Sequence, residues 1–275
     1  MIRLTVLMLS ALLLAPAACG PDDGQSPEDK ARKIASKLKE ADTRFTNNRA
    51  KDAESIYNWI LSQEPEHGGA LRGLGQVRIE NGLVDEAIPL LTRAAAATPQ
   101  DHRIHAALGT AYEKKAQHGE AAAAFGEAFK LDGEQARYGL QQGKNLLRSK
   151  QYAAAETVLR KTGEVDAEVR YVWSQLGEAL RNQTKHDEAL KAYMKGLSLY
   201  QSDKEAHAGA ALIYEARNET QKAVNHWSTY VRMDCCSKYS KTFARPKLEE
   251  LQARENREID AELAAGKQAT VEDAG

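Results

Sequence analysis

Two adjacent thiols, Cys235 and Cys236 in the run RMDCCSKYS, are the side chains best suited by type to redox chemistry. A bond between neighbours closes an eight-membered ring that forces the intervening peptide out of its usual geometry, so such a disulfide is strained and easily reduced. The readings that stay open are a vicinal disulfide, one or both as half-buried small apolar residues, and intermolecular pairing or a redox function. His102 and His105 stand three positions apart, a spacing that on a helix brings two imidazoles to one face, as a metal pair requires. No nearby cysteine or clear carboxylate partner accompanies them, so they read as surface residues, and no metal or other cofactor is expected. The HExxH, GxSxG, P-loop, GxGxxG, CxxC and EF-hand patterns are missing, and an enzyme is not expected.

The elements that must carry any site follow from composition and period. The chain has 275 residues, 42% of them hydrophobic, with only 4 Phe and 3 Trp and with alanine in blocks such as Ala94 to Ala97 and Ala121 to Ala124. That favours helices packed closely through small residues. With 38 Lys and Arg against 39 Asp and Glu, no global field draws the protein onto nucleic acid. Alanine recurs every 34 residues, at 53, 87, 121, 155, 189 and 223. Four positions after each stands a bulky residue: Tyr57, Leu91, Phe125, Leu159, Tyr193 and Trp227. Twelve positions before each alanine stands a small one: Ala41, Gly75, Gly109, Gly143, Gly177 and Ala211. The small residue lets two helices of a repeat approach, and the bulky one fills a groove of the neighbour.

This pattern resembles the tetratricopeptide repeat (TPR), most fully in the units from His102 to Gln135 and from Arg170 to Asp203, with Pro65 and Pro99 where TPR units end their second helix. The resemblance implies an all-α fold, a right-handed superhelix of about six helix-turn-helix repeats over residues 34–237. Departures are Gly133 and Gln201 in place of the terminal proline, Gly139 in place of a bulky residue, and Glu40 with Arg44 in a first unit that reads as an atypical cap. Residues 238–264 read as a capping helix with Leu248, Leu251, Ile259 and Leu263 apolar and Pro246 at its start, and 265–275 as a disordered tail. Carrying over the first-helix positions that TPR proteins turn toward a ligand implies a groove of Arg103, Thr110, Arg137, Lys144, Arg148, Tyr171, Ser174, Glu178 and Arg181. Five of these are cations, a local basic surface suited to carboxylates, an acidic peptide or the C-terminus of a polypeptide. The Lys/Asn/Lys/Arg carboxylate clamp of chaperone-binding TPR proteins is not reproduced, and that ligand is not carried over.

The first 18 residues read as a signal sequence, with Arg3, an apolar stretch from Leu4 to Leu14, and the small residues Ala15, Ala17 and Ala18 before Cys19. The run LLLAPAACG resembles a bacterial lipoprotein signal, although Pro16 stands where Leu, Val or Ile is usual; the resemblance implies acylation of Cys19. Acyl chains contribute about 0.8 kcal/mol per buried CH₂, enough in pairs to hold a protein at a membrane. Gly20 after the cysteine implies delivery to the periplasmic face of the outer membrane, and residues 19–33 read as a flexible linker. The whole resembles pilotin lipoproteins of type IV pilus secretins and TPR lipoproteins of gliding motility. It implies a non-catalytic adaptor that binds envelope proteins, through an acidic segment, and supports assembly or localisation of a machine. The alternative is a TPR lipoprotein docking peptidoglycan or exopolysaccharide synthesis and secretion components.

Overall fold

The computed structural model describes residues 26–272, with side chains to 264; the signal sequence and Cys19 lie outside the described residues. Among the described residues every regular element is helical. Twelve helices form six antiparallel pairs: α1 (Pro27–Thr46) with α2 (Ala50–Gln63), α3 (Gly68–Glu80) with α4 (Val84–Ala97), and α5 (His102–Lys114) with α6 (His118–Leu131). Then follow α7 (Ala136–Arg148) with α8 (Tyr152–Val165), α9 (Val172–Arg181) with α10 (His186–Leu199), and α11 (Lys204–Ala216) with α12 (Thr220–Met233). A π-helical turn, Ser240–Ala244, leads into α13 (Arg245–Glu272). No described helix is long and apolar enough to cross a membrane.

Every pair closes in the same way. Asn48, Gly82, Ala116, Lys150, Thr184 and Asn218, spaced 34 apart, all have φ between 57° and 77°. Each ends the first helix in a Schellman motif, in which the residue after it donates its N–H back to the helix, as from Arg49 to the Arg44 carbonyl at 2.9 Å and from Lys185 to the Leu180 carbonyl at 3.0 Å. The second helix then starts at once, which sets the tight antiparallel hairpin.

All six register alanines, at 53, 87, 121, 155, 189 and 223, are 0% exposed. The bulky residue four positions on packs over the small residue of its own repeat as well as reaching the neighbour. A Cβ on Gly177 would come within 2.5 Å of the Tyr193 ring, and a Cβ on Gly209, in the following repeat, would collide with the same ring and its hydroxyl. Tyr193 is thus a wedge shared by two repeats, and burial of such a ring contributes about 2 kcal/mol or more.

Both ends differ from expectation. Helix α1 begins at Pro27, with the Ser26 hydroxyl accepting from the Asp29 N–H at 3.1 Å, so 27–33 of the expected linker is helical. The first unit's Glu40 and Arg44 form an ion pair with each other, giving the outer face of the solenoid a polar finish. At the other end Leu248 and Leu251 are buried against Ala223, Val224 and Trp227, whereas Ile259 and Leu263 are 47% and 58% exposed. The cause is geometric: Glu258 meets Thr220, the first residue of α12, and beyond that point α13 overruns the solenoid. The helical backbone continues to Glu272, through most of the segment expected to be a disordered tail. Pro246 is the second residue of α13, but the π-helical turn before it makes the helical path continuous.

Candidate functional site

The first helices of the repeats line the concave face. Across α1, α3, α5 and α7 it holds an open cavity of about 640 Å³, and the expected site residues Arg103, Thr110, Arg137 and Lys144 all border it. Its floor is a charge network that begins in the first repeat. The Tyr57 hydroxyl donates to Asp42 Oδ1 at 2.7 Å, and Arg72 Nη2 donates to Asp42 Oδ2 at 2.8 Å. Burial, then the hydrogen bond to Asp42, pushes the Tyr57 phenol well up, so it stays a donor. Arg72 is only 4% exposed, its Nη1 lies 3.6 Å from Asp101 Oδ2, and its Nε and Nη1 have no hydrogen-bond partner. Arg103 grips Asp101 through a fork, Nε to Oδ1 and Nη2 to Oδ2, each at 2.8 Å. Burial acts to raise the Asp101 carboxyl, but the hydrogen bonds from Arg103 outweigh it and hold it below the usual range.

Two arginines are thereby matched by two aspartates. Arg137 and Lys144 are not matched: among the described residues neither has a carboxylate within ion-pair distance. The Arg137 guanidinium lies 5.4 Å from the Tyr138 ring centroid and the Lys144 ammonium 5.8 Å from that of Tyr171. These rings hold the cations in place without neutralising them.

The expected groove is not one continuous basic surface. Arg148 does not border this cavity; its Nη1 donates to Glu113 Oε1 on α5 at 2.7 Å. Tyr171 does not border it either; it sits at φ 73° ahead of α9, and the guanidinium of Arg170 lies 4.9 Å from its ring centroid. Ser174 is 1% exposed and spends its hydroxyl on the Tyr171 carbonyl at 3.0 Å. It borders, with Glu178 and Arg181, a second cavity of about 230 Å³ between α9, α11 and the start of the cap. There burial raises the Glu178 carboxyl, an effect that Arg181 opposes and Glu205 adds to.

Residues missed by the sequence reading fall in the same 34-residue register. Asp42, Gln76, Thr110, Lys144 and Glu178 occupy one repeat position, and Arg103, Arg137, Tyr171 and Glu205 another. Extending the middle-repeat positions to both ends would have found Asp42, Gln76 and Glu205. The same extension of the expected Ser174, through Leu140 and Ala106, would have reached Arg72.

The two histidines diverge: His102 Nδ1 meets the Tyr138 hydroxyl at 3.1 Å and His105 Nε2 the Pro99 carbonyl at 2.9 Å. Among the described residues no three His, Cys, Asp or Glu side chains are placed to hold a metal. Cys235 and Cys236 are free, exposed thiols, so the reading of them as half-buried apolar residues does not hold. They stand in a turn closed by the Ser237 hydroxyl donating to Asp234 Oδ2 at 2.7 Å, which leaves both sulfurs outside the core.

With this geometry in place, comparison with known proteins defines the class. Residues 38–102 match one tetratricopeptide-repeat family model, and 102–135 and 171–203 match a second. No curated protein matches this protein in sequence. Among solved structures, pilF of Pseudomonas aeruginosa is similar at 15% identity and a TM-score of 0.65, over 79% of this chain and 99% of that one. YrrB, described as a TPR protein with an unusual peptide-binding site, is similar at 16% identity and a TM-score of 0.58, over 67% of this chain and 95% of that one. MamA from Desulfovibrio magneticus RS-1 is similar at 19% identity and a TM-score of 0.57, over 62% of this chain and 97% of that one. The protein therefore contains tetratricopeptide repeats, and its architecture is a TPR superhelix with a C-terminal helix.

Proposed function

We propose that this protein is a non-catalytic adaptor that holds an acidic segment of an envelope protein in the larger cavity. Acylation at Cys19 tethers it to the periplasmic face of the outer membrane, where it supports assembly or localisation of a machine of the type IV pilus secretin or gliding-motility kind. The observation that carries the binding mode is the pair Arg137 and Lys144. They are the cations left without a carboxylate beside a cavity whose other two, Arg72 and Arg103, are already matched by Asp42 and Asp101. A partner carboxylate entering there completes two charge-assisted hydrogen bonds, each worth about twice a neutral one. YrrB, with its peptide-binding site on a similar scaffold, supports an extended polypeptide as the ligand. The tether rests on the small residues before Cys19, and the choice of machine on the architectural likeness to pilF.

The test is affinity capture from cross-linked envelopes with the wild-type protein and the variant Arg137→Glu/Lys144→Glu. The expected result is a protein captured by the wild type at low salt, weakened at high salt and lost with the variant, while the two melt alike. Capture that survives both the reversal and high salt would refute the acidic-segment reading.

A further inference from the structure

The concave face changes sign along its length, and we infer that the partner segment is bipolar, carrying a carboxylate into the cavity of the first four repeats and a lysine or arginine side chain into the cavity of the last two. The inference rests on the reading that the concave face binds a polypeptide.

The second cavity is built for a cation. Glu178 projects into it from α9 and Glu205 from α11, and neither has an ion-pair partner among the described residues. Lys204 of α11 borders the same cavity, but its charge is matched, with its ammonium 3.6 Å from Asp234 Oδ2. Asp234 is well suited to that role, since hydrogen bonds from Ser237 and Tyr230 hold its carboxyl down to about 2. Tyr193, Tyr230 and Tyr239 add three aromatic rings to the wall, and an ammonium or guanidinium over such a face gains further attraction. Arg181 is the cation on that wall that has no carboxylate within ion-pair distance among the described residues. Its buried Nε has no acceptor, so it is placed to take a carbonyl oxygen of the bound main chain. Burial raises the Glu178 carboxyl, and an arriving cation offsets that cost of keeping it ionised. A volume of about 230 Å³ fits one long side chain and its immediate backbone, not a second folded surface.

The two cavities have opposite unmatched charge, Arg137 and Lys144 in one and, in the other, Glu178 and Glu205 against the single guanidinium of Arg181. From α7, which carries Arg137 and Lys144, to α9 and α11, which carry Glu178 and Glu205, lie one to two steps between first helices, at roughly 9 Å a step. An extended segment, at about 3.3 Å per residue, needs about three to five residues to join them. The arrangement also rejects wrong partners: a uniformly acidic segment meets Glu178 and Glu205, and a uniformly basic one meets Arg137 and Lys144.

A synthetic peptide array tests this directly. Each member carries an Asp-Glu pair and a Lys-Arg pair at spacings from two to sixteen residues, in both chain orders, alongside all-acidic, all-basic and uncharged controls, and is probed with the labelled full-length protein. The expected result is strongest binding to bipolar members near a spacing of about four. Glu178→Lys/Glu205→Lys should weaken those members about tenfold, to the level of the all-acidic set, without altering the helical melt. Arg137→Glu/Lys144→Glu should abolish both. If all-acidic members bind as well as bipolar ones at every spacing, the bipolar segment is wrong while the acidic groove stands. If no charged member exceeds the uncharged control, both fall together.

Discussion

The left-handed turn residues offer a stability test with its own internal control. Thr184 and Gly82 occupy the same position of two different repeats, at φ 61° and 77°. A left-handed conformation costs a residue with a Cβ roughly 1–2 kcal/mol, and the greater freedom of glycine in the unfolded state returns roughly 0.5–1 kcal/mol of that gain. Thr184→Gly is therefore expected to stabilise the solenoid by about 0.5–1 kcal/mol. Little else changes, because Thr184 is exposed and its hydroxyl bonds only to the adjoining Gln183 carbonyl. Gly82→Thr should destabilise by about 1 kcal/mol, and a Cβ there would meet nothing within 4 Å, so the loss is conformational and not steric. Thermal and denaturant melts followed by circular dichroism would read a rise of about 2 °C for the first and a fall of similar size for the second, with the denaturant slope unchanged. A destabilised Thr184→Gly, or a Gly82→Thr that melts like the parent, would refute the assignment of these six residues to a strained turn.

Ala121→Leu and Ala155→Leu each force methylenes between helices at positions that are 0% exposed, and each should cost about 1–3 kcal/mol and lower the melting temperature. His207 and His226 face each other across α11 and α12 with their Nδ1 atoms 2.9 Å apart; burial, then His207, pulls His226 down to about 4, and burial also lowers His207. Unfolded histidine binds its proton near 6.5, so the unfolded state takes up more protons between those values. Stability present above about pH 6.5 is then lost as pH falls toward 4, and His226→Phe, which keeps the ring stacked on Tyr214, should flatten the melting temperature over that window. Cys19→Ala should leave the helical melt intact but release the protein from membrane fractions and end palmitate labelling, and equal membrane association of mutant and wild type would remove the acyl tether.

Much of the scaffold was legible because small and large residues alternate at one fixed period. Ala121 with Phe125, or Ala189 with Tyr193, states a helix face and its packing partner with no need of coordinates. The turns were less legible. Ala116, Lys150 and Thr184 carry no turn signature, and only the backbone hydrogen bonds of the Schellman motif reveal what they do. In the groove, Arg103, Arg137 and Lys144 could be placed by register alone, since a helix position fixes a direction. Arg148 could not, because its ion pair with Glu113 depends on a residue on another helix. Arg72 shares the repeat position of Ser174, so register reaches it, but its pairing with Asp42 and Asp101 depends on residues of other helices and loops. The change of sign along the groove depends on Lys204 being held by Asp234, a contact that bridges the last repeat and the loop after it.

Tyr193 sits at once against Gly177 of its own repeat and Gly209 of the next, and that sharing decides how the molecule can be lengthened or shortened. A hairpin taken alone has a wedge without its second seat, so the smallest self-consistent segment is any 34 residues joined in phase, wherever the cut is made. Excising residues 110–143 would bring Gly109 next to Lys144 with the core register intact, yet it would remove Thr110 and Arg137 from the row of side chains facing the cavity. The ruler against which a bound segment is measured can therefore be reset in whole notches by recombination, while the packing that keeps the ruler straight stays unaware of the change.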